Sequence, residues 1–494
     1  MFRRMRRRCD RHRAPASFVK PQRLLPLIVA TALFIENMDS TAISTSLPQI
    51  AVDLGTEPIA LKLALTTYML ALAVFIPVSG WVADRFGARR IFVAAIAVFL
   101  LGSLGCAASN GLGQLVAGRF VQGMGGAMMV PVGRLVLLRT IDKAELVRAL
   151  SWLTVPAMLG PMLGPVLGGA ITTYAHWRFI FLINLPMGAL GMWLAWRHVP
   201  ELRQVVGPLD SRGFLLSAGG LALAMFGLSA VGRGLAPAPV IGGCMIVGVL
   251  LLALYVRHAR HHPHPLLRLD LFRIPTYRAG VLGGSLFRVG IGATPFLLPL
   301  MLQLGFGFNP LHSGLVTFTS TAGAMLMKTL APRILHATGF RPVLVWNGLV
   351  AALAMCLFGL FRADTPYWLM VGVLLASGCL RSLQFTSINA IAYADIDQAS
   401  MSQASSLTAM AQQVALALGV TLGGYALSLS TALSGRPDGD PLNFTFAFLG
   451  VGVISALSVL EMRRLAPDAG AEMAGHAQAG REVSEPKVEA RPQA

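Results

Sequence analysis

Apolar stretches of about twenty residues recur along almost the whole chain, each closed by a short polar or charged segment. Fourteen such stretches can be read, at about 24–47, 60–83, 90–108, 112–138, 150–172, 179–197, 213–232, 239–257, 279–303, 312–332, 341–361, 366–390, 403–430 and 443–463. A helix rises about 1.5 Å per residue, so about 20 residues cross about 30 Å of hydrocarbon. A helix also satisfies its own backbone hydrogen bonds, which lipid cannot. The pattern predicts an all-α polytopic membrane protein. The spans group as six, two and six, because 213–232 and 239–257 hold no acidic or amide residue and look like a pair facing lipid. The expected division is a basic arm 1–23, a six-helix bundle 24–200, two additional helices with their linkers 201–262, a second six-helix bundle 263–465 and a disordered polar tail 466–494. A weak repeat supports two related halves: Gly87-Ala88-Arg89 follows the second span, and Gly339-Phe340-Arg341 follows the second span of the second bundle.

Composition agrees with this reading. Of the 494 residues 55% are hydrophobic and only 13% charged, far from a soluble domain's quarter. A soluble enzyme, a disordered chain and a disulfide scaffold are thereby excluded. The net charge of +18 would suit nucleic acid, but its placement argues against that partner. With the N-terminus cytoplasmic, 32 Lys and Arg fall on the inner side, five on the outer side and three within spans. This is the positive-inside pattern, and the excess faces the anionic leaflet. The arm holds Arg3, Arg4, Arg6, Arg7, Arg8, Arg11 and Arg13. It precedes a run too long and too acidic for a cleaved signal. The five cysteines show no paired spacing, so neither disulfides nor zinc is expected from them. His258, His261, His262 and His264 read as part of a basic, Pro-broken linker rather than a metal site.

No phosphate loop and no His-Glu-x-x-His motif is present, and no cytoplasmic segment is large enough for a nucleotide domain. The expected energy source is a proton gradient, with no cofactor; the expected partners are the bilayer, protons and a small-molecule cargo, handled by a monomer. Proton coupling needs a carboxyl that can titrate inside the membrane. Glu36 and Asp39 lie three residues apart on one face of the first span. Asp39 sits about 12 Å below the outer end, and Arg119 in the fourth span about 10 Å below it, so the two match in depth. These charges either couple transport to protons or merely pin two helices together.

The loop from Gly80 to Arg90 carries Asp84, Arg85, Gly87, Arg89 and Arg90, a candidate charge latch between bundles or simply a topology signal. Gly160, Gly164 and Gly168 recur every fourth residue in the fifth span, beside Gly169, Pro161 and Pro165. That stripe allows a bent, close helix contact, either gating or only packing. Arg288, Gln303, Arg381, Gln384, Asn389, Gln412 and Gln413 lie in later spans that hold no acid. The two arginines either bind an anion or reach backbone carbonyls.

Together these motifs resemble the major facilitator superfamily, over about residues 24–465. Gly80 to Arg90 is similar to its signature between helices two and three, and Arg119-Phe120-Val121-Gln122-Gly123 to its basic fourth-helix motif. Gly160 to Gly169 looks like the antiporter motif typical of exporters. Asp39-Ser40-Thr41-Ala42 and Trp177 to Pro186 resemble hallmarks of the fourteen-span drug:proton antiporters. Gly126 to Leu135 and Gln303 to Phe308 look most like the multidrug resistance protein D subgroup of bacterial inner membranes. The resemblance implies two six-helix bundles around a central cavity, with two additional middle helices outside them, and proton-coupled drug export by alternating access. It implies a role in proton transfer for the motif of Arg119, with Asp39 and Glu36 as the candidate coupling carboxyls; Gln122, Arg288, Arg381, Gln384 and Gln412 are the candidates along the cargo path. Basic residues replace the further acids that cation exporters of this branch carry in the second half. That departure favours neutral or anionic cargo, such as a small carboxylate or its metal complex.

Overall fold

A computed structural model describes residues 21–141, 143–231, 237–398, 400–437, 439–471 and 473, with 21–23 and 143–157 as backbone only. The basic arm up to residue 20, Cys9 and the tail from 474 lie outside the described residues. Fourteen long helices follow one another, with no strand among the described residues. In the first half they are α1 (Pro21–Ala42), α2 (Pro58–Phe86), α3 (Ala88–Ala107), α4 (Leu112–Thr140), α5 (Lys143–Tyr174) and α6 (Phe179–His198). The additional pair is α7 (Ser211–Ala230) and α8 (Ala238–His261). The second half comprises α9 (Pro275–Gly305), α10 (Pro310–Thr338), α11 (Phe340–Phe358), α12 (Tyr367–Ile391), α13 (Met401–Ser434) and α14 (Pro441–Met462).

Twelve of these are, among the fully described residues, long and apolar enough to cross a membrane by themselves. α5 and α10 pack on one another across the two halves. α10 carries Lys328 and Arg333. The first span is shorter than the apolar run suggests: α1 ends at Ala42 in a 3-10 turn, Ile43–Thr45, and Leu47–Asp53 forms a separate short helix. Pro48 at the start of that short helix lacks the amide that a continuous helix would need.

α7 and α8 pack together on the flank, and α7 contacts α2 and α13. α8 is the least buried of the long helices, with Ile246, Val249 and Leu250 exposed. A row of this kind suits lipid and explains the absence of polar residues there.

The principal helix contacts between the halves are α5 with α10 and α2 with α13; the turn Ile43–Thr45 also meets α9 and α10. The end of the molecule remote from Pro21 and Met462, here called distal, is closed. One buried apolar cluster there draws on both halves: Ile43, Leu47, Leu61 and Trp177 with Phe296, Leu300, Val316 and Phe444. At the proximal end the buried clusters are separate, one within residues 25–199 and one within 279–465. The distal closure is a backbone contact made twice. Gly169 faces the Pro310 carbonyl, and Gly314 faces the Pro165 carbonyl, each too close for any Cβ. Gln303 Nε2 donates to the Thr45 carbonyl at 2.9 Å, and the Leu311 amide to Thr173 Oγ1 at 3.2 Å. Gln303 reaches across from a π-helical turn, Met301–Gly305, that widens the end of α9.

A side chain at residue 314 would wedge these carbonyls apart. In a chain stripped of its native cysteines, Thr45→Cys is expected to resist a membrane-impermeant maleimide and to become reactive when Gly314→Val is added.

Candidate functional site

Asp39 and Arg119 meet as the matched depths suggest. Arg119 Nη1 donates to Asp39 Oδ2 at 2.5 Å, and both side chains are completely buried. The same Nη1 donates to Gln122 Oε1 at 2.6 Å, and Arg119 Nε to the Ala64 carbonyl at 3.4 Å. The guanidinium also lies 4.2 Å from the centre of the Tyr68 ring, a cation–π contact. Asn184 Nδ2 donates to Asp39 Oδ1 at 2.7 Å and to Ser103 Oγ at 3.2 Å. Gln122 Nε2 closes the circuit on Ser103 Oγ at 2.8 Å. Five helices of the first half thus meet on one ion pair. The helices can approach so closely because Gly102 on α3 lies against the Gln122 backbone, and Gly123 on α4 against Tyr68 and Ala71.

Glu36 has a different environment. It lies one turn nearer the proximal end and is 8% exposed; its Oε2 is buried without a hydrogen-bond partner among the described residues. Tyr68 Oη is in the same position. Both border Gly126, whose Cβ would lie 3.1 Å from Tyr68 Oη and 3.6 Å from Glu36 Cγ. Tyr68 therefore touches Arg119 with its ring and shares a small polar space with Glu36.

The glycine stripe sets the position of α1. Gly160 lies against Phe34 and Asn37, Gly164 against Thr41 and Met38, and Gly168 against the Ala42 carbonyl. Pro161 and Pro165 leave α5 unbroken. The Pro165 carbonyl also accepts from Thr45 Oγ1 at 3.2 Å, tying the stripe to the turn after α1.

The second half places its polar residues otherwise than expected. Gln384 is fully buried, donating to the Leu344 carbonyl at 2.9 Å and accepting from Asn347 at 2.9 Å. Its amide, like that of Gln122, is taken up inside helix packing and does not line a path in this conformation. Arg288 is 1% exposed; its Nη2 donates to Asn389 Oδ1 at 2.6 Å and its guanidinium lies 5.3 Å from the Phe385 ring. Arg381, Phe385 and Asn389 follow at four-residue intervals on one face of α12. Arg288 thus sits against the face that carries Arg381. Arg381 Nη2 donates to Ser320 Oγ at 3.2 Å. Gln412 is half-buried on α13.

The candidate latch also differs from its expectation. Its partners lie within the first half and its outgoing linker, not in the opposite bundle. Asp84 takes Arg139 at 2.5 and 3.3 Å, and Arg139 also reaches Gln204 at 3.3 Å. Arg89 and Arg90 flank Glu201 at 3.6 and 3.5 Å. Gly87 turns the chain at φ +103°, and the Ala88 amide donates to the Leu202 carbonyl at 2.9 Å. Arg85 is exposed, and Gly80 meets no atom within 4 Å of where a Cβ would stand.

The Major Facilitator Superfamily profile matches residues 29–420 of this architecture. The chain belongs to that superfamily. It is 37% identical over 444 residues to the "Putative multidrug resistance protein MdtD" of Citrobacter koseri, covering 89% of this chain and 94% of that protein. The protein of the same name from Serratia proteamaculans is also 37% identical, covering 89% and 93%. Among solved structures, a D-xylose-proton symporter superposes with a TM-score of 0.67 at 15% identity, over 90% of this chain and 98% of that one. A bacterial homologue of the human lysosomal transporter Spinster gives 0.65 at 14%, over 92% and 98%. These structures share the fold. The chain is a multi-pass membrane transporter rather than an enzyme.

Within this major facilitator fold, Asn184 and Ser103 are functional candidates that residue reading passed over. Asn184 stands inside the Trp177-to-Pro186 motif, so the signal was available. That motif works at both ends: Trp177 Nε1 donates to Asp53 Oδ2 at 2.7 Å, fixing the distal loop, while Asn184 holds Asp39. Ser103 carries no such signal, since a serine in an apolar helix usually bonds its own backbone. Replacing Asn184 by Leu strips a donor from the buried carboxylate. A loss of about 1–3 kcal/mol is expected, read as a lower melting temperature of the purified protein in detergent.

Proposed function

We propose that the chain is a proton-driven exporter of small molecules across the bacterial inner membrane. Both termini face the cytoplasm, the chain acts as a monomer, and the proton gradient is its energy source, with no cofactor. The names of the MdtD relatives support export of drug-like cargo. The sequence count of 32 Lys and Arg on the expected inner side against five on the outer side supports the orientation. With the distal end closed, the conformation described here then opens toward the cytoplasm.

The observation that carries the reading is the buried Asp39–Arg119 pair beside Glu36, whose buried Oε2 has no hydrogen-bond partner among the described residues. A proton reaching Asp39 must first displace Arg119 and Asn184. Glu36 can exchange a proton without breaking an ion pair, and its small exposure gives it a route. We assign the exchange with the cytoplasm to Glu36, and the conformational response to Asp39 and Arg119. Tyr68 links them through the polar space beside Gly126. In this scheme Gln122 positions Arg119. The Asp84, Arg89 and Arg90 cluster holds the proximal end of the first half as one body, so that it rocks as a unit about the Gly169 and Gly314 contacts.

A second reading of the cargo rests on Arg288 and Arg381. Arg381 shares one face of α12 with Phe385 and Asn389, Arg288 of α9 packs against that face, and the hydrogen bonds of both run to neutral groups among the described residues. That arrangement favours a small anion, including a carboxylate or its metal complex.

Purified protein in liposomes under an imposed pH gradient tests both. Glu36→Gln and Asp39→Asn are each expected to reduce uphill efflux at least tenfold. Glu36→Gln should keep downhill cargo exchange, whereas full uphill activity in that variant would remove Glu36 from the coupling. The double variant Arg288→Gln with Arg381→Gln should abolish organic-anion flux and spare neutral dyes; equal loss of both would reject the anion reading.

A further inference from the structure

The linker beyond the first half ends in a side-chain cluster that the transport reading leaves unused. Asp210 caps α7: its Oδ1 accepts the Gly213 amide at 2.8 Å, and its Oδ2 the Leu266 amide at 3.2 Å. The same Oδ1 lies 2.8 Å from His258 Nε2, and the Asp210 side chain is only 3% exposed. His258 is in the last turn of α8, and His262 follows one turn later, its amide still bonded to the His258 carbonyl at 3.0 Å. Their ring centres are 5.0 Å apart. His262 Nδ1 accepts the His264 amide at 3.2 Å, which leaves Nε2 as its coordinating nitrogen. One ligand atom from each of Asp210, His258 and His262 lies within 4.8 Å of the others.

We propose that Asp210, His258 and His262 form a binding site for a borderline divalent cation, zinc above all, at the proximal end of the additional helix pair. Two imidazoles and one carboxylate are the donor set of zinc, cobalt or nickel; magnesium and calcium prefer oxygen alone. The histidines stand four residues apart, so they project from one side of the helix end. The Gly213 and Leu266 amides orient the carboxylate, and the His264 amide fixes the His262 ring, as the outer partners of metal ligands do. Metal–ligand distances of about 2.0–2.2 Å put the three ligand atoms about 3.3–3.5 Å apart, so His262 closes in while His258 Nε2 and Asp210 Oδ1 open from 2.8 Å. The loop after α8 can supply that movement, since His262 and its neighbours are at the surface. The cation takes the place of the proton between His258 Nε2 and Asp210 Oδ1, which leaves to solvent. Water completes the fourth position.

Such a cation ties three segments together: the start of α7, the end of α8 and the linker at Leu266 that leads into the second half. Tyr255 already fastens that linker, its hydroxyl accepting the Leu267 amide at 3.0 Å. The site would thus fix where the lipid-facing pair attaches to the second half, away from the ion pair of the first.

The test uses the full-length chain, purified without a polyhistidine tag, stripped with chelator and titrated calorimetrically with zinc. Cobalt in place of zinc reports a tetrahedral site by its visible absorption. One equivalent is expected to bind, with His258→Ala and His262→Ala each weakening it at least tenfold and removing the cobalt bands. His312→Ala, at the distal end, should change nothing. Asp210→Asn keeps an acceptor for the α7 cap and should weaken binding without unfolding the chain. Failure of the unaltered protein to bind zinc, or binding unchanged in the His258 and His262 double variant, would overturn the proposal.

Discussion

A carboxylate and a guanidinium locked together inside the membrane, Asp39 against Arg119, set the terms for the first half. Charge at this depth costs several kcal/mol per ion, a cost that pairing and hydrogen bonding offset. Here Asn184 fills the second carboxylate oxygen and Gln122, Ala64 and Tyr68 surround the guanidinium, whose Nη2 has no hydrogen-bond partner among the described residues. Removing one charge from such a pair strands the other, a penalty of about 3–5 kcal/mol. Neutralising Asp39 therefore cannot be a local event. It frees Arg119, whose remaining contacts reach α2 and α4, and those helices must repack.

The distal closure depends on the opposite chemistry. Gly169 and Gly314 bring backbone against backbone, with no side chain to span a gap and no hydrogen bond between the carbonyls and the glycines. The contact is made by shape and by the apolar cluster around it, with the Gln303 and Leu311 hydrogen bonds alongside. Close packing of this kind is strong when mated and weak once slightly separated. It behaves as a two-state seam rather than a spring, which is what a rocking pair of bundles requires.

Much of this was legible from residue order. Fourteen spans, the six-two-six grouping and the facing depths of Asp39 and Arg119 follow from helix rise and from the rarity of charge in lipid. The glycine stripe announced a close contact but not its partner, because four-residue spacing says which face is narrow and not what lies on it. The partners of the candidate latch in this conformation were hidden for a related reason. Asp84, Arg89 and Arg90 declare that they need counter-charges, yet Arg139, Glu201 and Gln204 are fixed by how the linker folds back after α6. Gln122 and Gln384 were assigned to a path because polar residues in spans usually face one. In this conformation both satisfy buried partners, and nothing in an isolated sequence distinguishes those two uses of an amide. Asp210 stood outside every motif, and its meeting with His258 exists only because α7 and α8 form a hairpin.

The two halves divide the charge between them, and this constrains how they can communicate. The ion pair and Glu36 belong to the first half; Arg288 and Arg381 belong to the second and face neutral partners. Groups this far apart in the chain, on bodies that move relative to one another, exchange free energy through the helices shared by both interfaces. α2 is such a helix. Ala64 and Tyr68 on one face hold Arg119, while the helix packs along α13, which carries Gln412. At its distal end, Gly424 of α13 lies against Ile59 and the stem of Lys62. Any shift of Arg119 that moves Tyr68 therefore acts on the seam with the second half directly. Coupling between proton and cargo needs no common binding group: it needs α2 to have one position when Arg119 holds Asp39 and another when it does not.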